Sequence, residues 1–210
     1  WTYGYFFDEE LLQEWDWKEH FSAQPDTLEY LNLVADKHDF RRDMTFNARV
    51  VSAIFDDAAN NWTVTFEDGG QARAPLLLTG IGVLSAPTLP NIPGRDDFTG
   101  QAFHTARWPH ETVSFEGKRV GIIGTGATAI QAIPEVAKTA ERLTVFQRHP
   151  NWAAPLHNSR ITPEEQKDIK ARYKEIYAHC WETVACFIHH PDPRSALEVT
   201  PEEREAFWEK

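Results

Sequence analysis

The sequence predicts an α/β protein, and three observations predict it. Between Lys118 and Gln147 a short apolar strand, a glycine turn, a helix and a second short apolar strand follow one another. That is the order of a βαβ unit, which takes about 30 residues. Upstream, the apolar period changes to two over Thr45–Phe55, Trp62–Phe66 and Ala72–Thr79. Turn residues at Asp56–Asn61 and Glu67–Gly70 separate these runs, so a three-stranded β-meander is predicted. Helical spacing flanks both: Leu28, Leu31, Val34 and Ala35 recur between Asp26 and Lys37, with Asp26 placed to cap. Thr162-Pro163-Glu164-Glu165 has the form of a second helix start, with a hydroxyl cap, proline first and glutamate third, and that helix is predicted to run towards His189.

Size and charge narrow the function classes. A chain of 210 residues holds one large or two small domains. Its 41% hydrophobic and 25% charged content, with 11 Gly and 13 Pro, excludes collagen, low complexity and wholesale disorder. The 32 acidic against 21 basic residues give a net charge of −11, which argues against a nucleic-acid partner. The densest apolar run, Leu76-Leu77-Leu78, is strand-sized, so no membrane span is expected. No basic-then-apolar leader stands at Trp1, and the two cysteines make no disulfide framework; a cytoplasmic setting follows. Pro87, Pro90 and Pro93-Gly94 mark a boundary between structural units. Thr200-Pro201-Glu202-Glu203 starts another helix with only seven residues left, so the expectation is an excerpt of a longer protein.

The candidate chemistry sits in the βαβ unit. Gly124-Thr125-Gly126-Ala127-Thr128-Ala129 fits G-x-G-x-x-A between a strand and a helix. Gly124 permits the turn, Gly126 lets the backbone approach a pyrophosphate, and Ala129 permits close helix–strand packing. The helix start adds N–H donors and partial positive charge. The alternative is a glycine turn with no ligand; strand before and helix after favour a dinucleotide. An NAD site wants Asp or Glu about 20 residues on, yet Gln147-Arg148-His149 stands there. An arginine pairs bidentately with a 2′-phosphate, so Arg148 points to NADP(H) over NAD(H), against the plainer reading of a solvated loop residue. His179, His189 and His190 with Cys180 and Cys186 fit no common zinc pattern. The two cysteines are expected on different faces of one helix in a structural role, and no metal is expected. Tyr173, Tyr177 and Trp181 recur at intervals of four and read as helix packing.

One further pattern carries a resemblance. Phe98-Thr99-Gly100-Gln101-Ala102-Phe103-His104-Thr105-Ala106-Arg107-Trp108-Pro109 reads F-x-G-x-x-x-H-x-x-x-W-P, closely followed by G-x-G-x-x-A. Together they resemble the fingerprint of Baeyer–Villiger monooxygenases, the FAD- and NADPH-dependent class B flavoprotein monooxygenases, towards the phenylacetone, cyclohexanone and steroid group. Tyr3-Gly4-Tyr5, Leu12–Trp17, Gly82–Pro87 and Phe146–Trp152 are similar too. The likeness covers nearly the whole chain and is weakest after Leu156. Related N-hydroxylating enzymes usually carry another aromatic where Trp108 stands.

The resemblance implies parts of two Rossmann-like dinucleotide-binding domains. Residues 1–84 would belong to an FAD domain with the meander, 85–155 to the first part of an NADP domain, and 156–210 to the start of a helical insertion. It implies FAD and NADP(H) as cofactors, and oxidation of a ketone by O₂ to an ester or lactone through a C4a-peroxyflavin. Gly100, His104 and Trp108 fall on the fingerprint, whose histidine couples domain rearrangement to catalysis. Gly124, Thr125, Gly126, Ala129 and Arg148 fall on the NADP side; Val50, Tyr3 and Tyr5 fall near FAD. His149 stands where the family often has threonine. A first G-x-G-x-x-G for FAD and an arginine supporting the peroxide have no counterpart here, so these 210 residues alone are not expected to be active. An N- or S-oxygenating flavoenzyme and a non-catalytic NADP-binding fragment are the alternatives.

Overall fold

The structure, a computed structural model, describes residues 1–208 apart from 152, 154, 155 and 189–192. It divides into two compact units, Trp1–Phe46 with Leu156–Lys210, and Asn47–Pro155. One boundary of these units falls at 46/47 and the other at 155/156, and the stretch after Leu156 folds back on the first 46 residues. There the His20 N–H donates to the Ser159 carbonyl at 3.1 Å and the Ile161 N–H to the Lys18 carbonyl at 3.0 Å. Asn158 adds side-chain bonds to the Phe21 backbone.

The first unit holds helices α1 (Glu9–Glu14), α2 (Gln24–Lys37), α4 (Pro163–Glu182) and α5 (Pro201–Trp208). Asp8 starts α1 by accepting from the Leu11 N–H at 3.0 Å, within an aromatic stretch whose sequence shows no clear period. Adjacent leucines of α1 then serve two clusters. Leu11 packs with Trp17, Tyr30 and Val34, and Leu12 with Ile169 and Tyr173. Residues one apart on a helix point about 100° apart, so α1 can join α2 on one side to α4 on the other. Tyr177 donates its hydroxyl to the Gly4 carbonyl at 2.7 Å. Burial raises the Tyr173 hydroxyl to about 12 and pushes Tyr177 higher still, so both phenols stay protonated at neutral pH.

Three helical expectations change in detail. Asp26 does not cap α2; the helix begins at Gln24 after Ala23, with Pro25 in its first turn. Proline pre-sets the helical φ there, and Asp26 is buried within that first turn, ion-paired with Lys18. The capping box at Thr162 and Glu165 forms as the sequence predicts, but α4 stops at Glu182. The buried Thr183 hydroxyl, hydrogen-bonded to the Cys180 carbonyl and accepting from the Phe187 N–H at 2.8 Å, offers the backbone an alternative to another turn. Cys186 therefore lies beyond the helix rather than on another face of it. Of the aromatic stripe, Tyr173 is buried while Trp181 is exposed, its edge against Phe6. His189 and His190 lie outside the described residues; among those described, no group of three metal-ligating side chains assembles.

The second unit carries the meander β1 (Val50–Asp56), β2 (Asn61–Phe66) and β3 (Gln71–Ala74), antiparallel in that order. Asp56 caps its first turn by accepting from the Ala58 and Ala59 N–H groups, and Phe55 faces Trp62 across the ladder with ring centroids 5.3 Å apart. Two strand ends differ from expectation. The first strand begins at Val50 rather than Thr45, since Asn47 takes a left-handed φ of 56° that breaks extension. The third ends at Ala74 rather than Thr79, because Pro75 has no N–H to donate to the ladder.

Beyond the proline-rich connector, β4 (Arg119–Ile123) and β5 (Arg142–Phe146) pair in parallel, from Arg119 opposite Arg142 to Ile123 opposite Phe146. Helix α3 (Ala127–Ala137) makes the crossover, completing the predicted βαβ unit. It ends three residues short of Ala140, which is taken up in a bridge with Glu116.

Candidate functional site

The corner between β4 and α3 is built by its glycines. Gly124 has φ of 102°, a conformation that favours glycine, and its N–H extends the ladder one step by donating to the Phe146 carbonyl at 2.8 Å. Gly126 is the N-cap residue of α3, and no side chain caps that end. The helical ladder opens with the Ile130 N–H on the Gly126 carbonyl at 3.0 Å. The N–H groups of Ala127, Thr128 and Ala129 precede that bond and have no intrahelical acceptor. A methyl group placed on Gly124 or Gly126 would meet nothing within 4 Å, so the approach to these amides is open. Ala129 is half-buried. An anion fits this corner: directed donors, the positive end of a helix dipole and no side chain in the way.

Arg148 stands beside it. The Thr125 hydroxyl donates to the His149 carbonyl at 3.3 Å, and Gln147 Nε2 donates to Thr125 Oγ1 at 3.2 Å. Both neighbours of Arg148 are thereby tied to the glycine turn. Among the described residues the exposed Arg148 guanidinium makes no ion pair or hydrogen bond, whereas Arg41, Arg95 and Arg172 each hold a carboxylate. No acidic side chain competes for it at the end of β5, which suits a 2′-phosphate. The sequence reading passed over Gln147 and His149 as anchors. Their signal was the parallel register itself, which sets Ile123 opposite Phe146 and so brings the residues after both strands to one edge.

The fingerprint residues lie in the same unit, each against different neighbours. Gly100 lies under the Phe98 ring, where an added methyl carbon would sit 2.5 Å from Cζ. His104 uses Nδ1 to accept from the Ala106 N–H at 3.0 Å, capping the 3₁₀ turn Thr105–Arg107. In the neutral ring the proton then resides on Nε2. Trp108 packs edge-on against Phe103, with centroids 4.8 Å apart, and against Phe115 at 6.1 Å. Arg107 Nη2 donates to the Ser85 carbonyl at 3.2 Å, fastening that 3₁₀ turn to the connector. Sequence reasoning missed that anchor too.

The residues transferred to FAD are scattered. Val50 opens β1, opposite Phe66, and is 52% exposed. Tyr3 and Tyr5 belong to the first unit, where the Tyr5 N–H donates to the Tyr30 hydroxyl at 2.8 Å and its ring stacks on Phe7. Tyr3 lies against Trp17. Two open clefts, one lined by Gln13, Gln166 and Lys170 and one by Phe55, Thr63 and Gln71, include none of the predicted site residues.

The uncapped helix start after G-x-G-x-x-A, with the Arg148 guanidinium beside it, makes up the candidate site. The chain belongs to the flavin-binding monooxygenase-like family, whose model matches residues 13–178. A cyclohexanone 1,2-monooxygenase from Acinetobacter sp is 43% identical over 208 residues, covering 99% of this chain and 38% of that protein. A phenazine N-monooxygenase from Lysobacter antibioticus is 38% identical over 213 residues, with 99% and 38% covered. The solved structure of an oxidized steroid monooxygenase bound to NADP superposes with a TM-score of 0.88 at 45% identity, covering 99% of this chain and 40% of that one. The chain thus spans about two fifths of the length of the relatives it matches.

Proposed function

We propose that this chain is the central part of an FAD- and NADPH-dependent Baeyer–Villiger monooxygenase, with residues 1–84 in the FAD domain, 85–155 in the NADP domain and 156–210 opening a helical insertion. The observation that carries the cofactor choice is the open start of α3 with Arg148 held beside it. Kinship with a cyclohexanone monooxygenase supports the ketone reaction. In the overall reaction one atom of O₂ enters the bond between the carbonyl carbon and its neighbour. The other leaves as water, and NADPH is oxidised. The bound cofactors supply hydride transfer and oxygen activation; the protein supplies placement and electrostatics.

The residues of this chain then divide the work. The amides at Gly126–Ala129 hold the NADP pyrophosphate, and Arg148 holds the 2′-phosphate. Gly100, His104 and Trp108 couple rearrangement of the domains to oxygenation. Val50, Tyr3 and Tyr5 lie along the flavin. The protein works in the cytoplasm on a small ketone.

A substrate panel tests this. The full-length protein, supplied with NADPH and O₂, is expected to convert ketones to esters or lactones, with NADPH consumed in step with product. Oxidation of amines or sulfides without any ester would move it to the N- or S-oxygenating class, the second reading, which the phenazine N-monooxygenase relative favours.

A further inference from the structure

We infer that Thr125 is a positioning residue for the choice between NADPH and NADH, acting through Arg148 rather than on the cofactor. The inference rests on the proposal that Arg148 takes the 2′-phosphate. A threonine hydroxyl has one hydrogen to give and two lone pairs to accept with. Here the hydrogen goes to the His149 carbonyl, 24 residues away, and one lone pair takes the Gln147 amide, 22 residues away. The backbone bond from Gly124 to Phe146 lies one step earlier. Two bonds therefore fasten the segment after β5 to the glycine turn, one on each side of Arg148, and a third ties the end of β5 to it.

The consequence concerns order. Arginine has many rotamers, and a loose loop adds backbone freedom, all of which binding must remove. The clamp holds the backbone of Arg148 beside the turn while leaving its guanidinium without a protein partner. Removing the Thr125 hydroxyl keeps the positive charge but frees the segment that presents it. The loss should fall on the ligand that carries a 2′-phosphate and spare the one that does not.

The test is a mutant cycle in the full-length enzyme, read as KM for NADPH and for NADH. Thr125→Val keeps the shape of the side chain and removes both hydrogen bonds; losing two exposed bonds should raise KM for NADPH about 5- to 20-fold and leave KM for NADH within about twofold. Thr125→Ser, which retains the hydroxyl, should restore the NADPH value. In an Arg148→Ala background, Thr125→Val should add no further loss of discrimination. Equal weakening of NADPH and NADH by Thr125→Val would overturn the inference, since the hydroxyl would then serve the pyrophosphate or the fold. No change with either cofactor would overturn it as well. If Arg148→Ala alone left the preference for NADPH intact, the 2′-phosphate proposal would fall and this inference with it. Failure of the Thr125 inference alone leaves Arg148→Ala selective.

Discussion

Among the described residues the Arg148 guanidinium stands without an anionic partner, although the chain carries a net charge of −11. Charge-assisted bidentate pairing is among the stronger contacts available to a side chain. Steady-state kinetics of Arg148→Ala should therefore show KM for NADPH raised about 10- to 100-fold, with NADH little affected. The fingerprint makes a different prediction. His104 and Trp108 are engaged with neighbouring protein groups, the Ala106 N–H and the rings of Phe103 and Phe115. His104→Ala and Trp108→Ala should lower product formation by tenfold or more while the flavin-to-protein absorbance ratio stays near that of the parent. Loss of flavin from either variant would contradict a coupling role. The G-x-G-x-x-A corner was legible in the sequence because its demands are backbone demands, and glycine is how a sequence writes them. The Thr125 clamp was not legible, since it joins residues that only the β4–β5 register brings together.

Secondary-structure elements followed their end signals more faithfully than their hydrophobic runs. Pro75 cut short a strand whose apolar run continues through Leu76-Leu77-Leu78, and the Thr183 side chain ended α4 well before His189. Hydrophobic spacing says where an element can lie; competing side-chain bonds and missing N–H groups decide where it stops. The start of α4 gives a direct check. Thr162 Oγ1 accepts from the Glu165 N–H at 3.2 Å, and the Glu165 carboxylate accepts from the Thr162 N–H at 2.8 Å. Thr162→Ala should cost about 1 kcal/mol, read from the urea midpoint. The Thr162 backbone N–H, and then its side chain, hold the Glu165 carboxyl below its ordinary value of 4.5. A carboxyl depressed in the folded state contributes stability that is complete above 4.5 and disappears as pH falls through the lower folded value. The stability difference between the parent and Glu165→Gln should accordingly shrink as pH falls below 4.5. A difference that instead grew below 4.5 would contradict the capping box.

For the whole molecule, the order of the chain proved a poor guide to its compact units. Residues 1–46 pack with residues 156–210, and the join rests on bonds such as Phe21 N–H to Asn158 Oδ1, 137 positions apart. No local period encodes such a pairing. The βαβ unit was readable because strand, turn, helix and strand are contiguous. The proposed enzyme depends on that unit presenting its glycine corner to a phosphorylated dinucleotide. A crystal structure of the full-length protein with NADP⁺ bound tests this most directly. The account predicts pyrophosphate oxygens about 2.7–3.2 Å from the amides at the start of α3, with the 2′-phosphate on the Arg148 guanidinium. A dinucleotide bound elsewhere, with those amides facing solvent and Arg148 untouched, would contradict it.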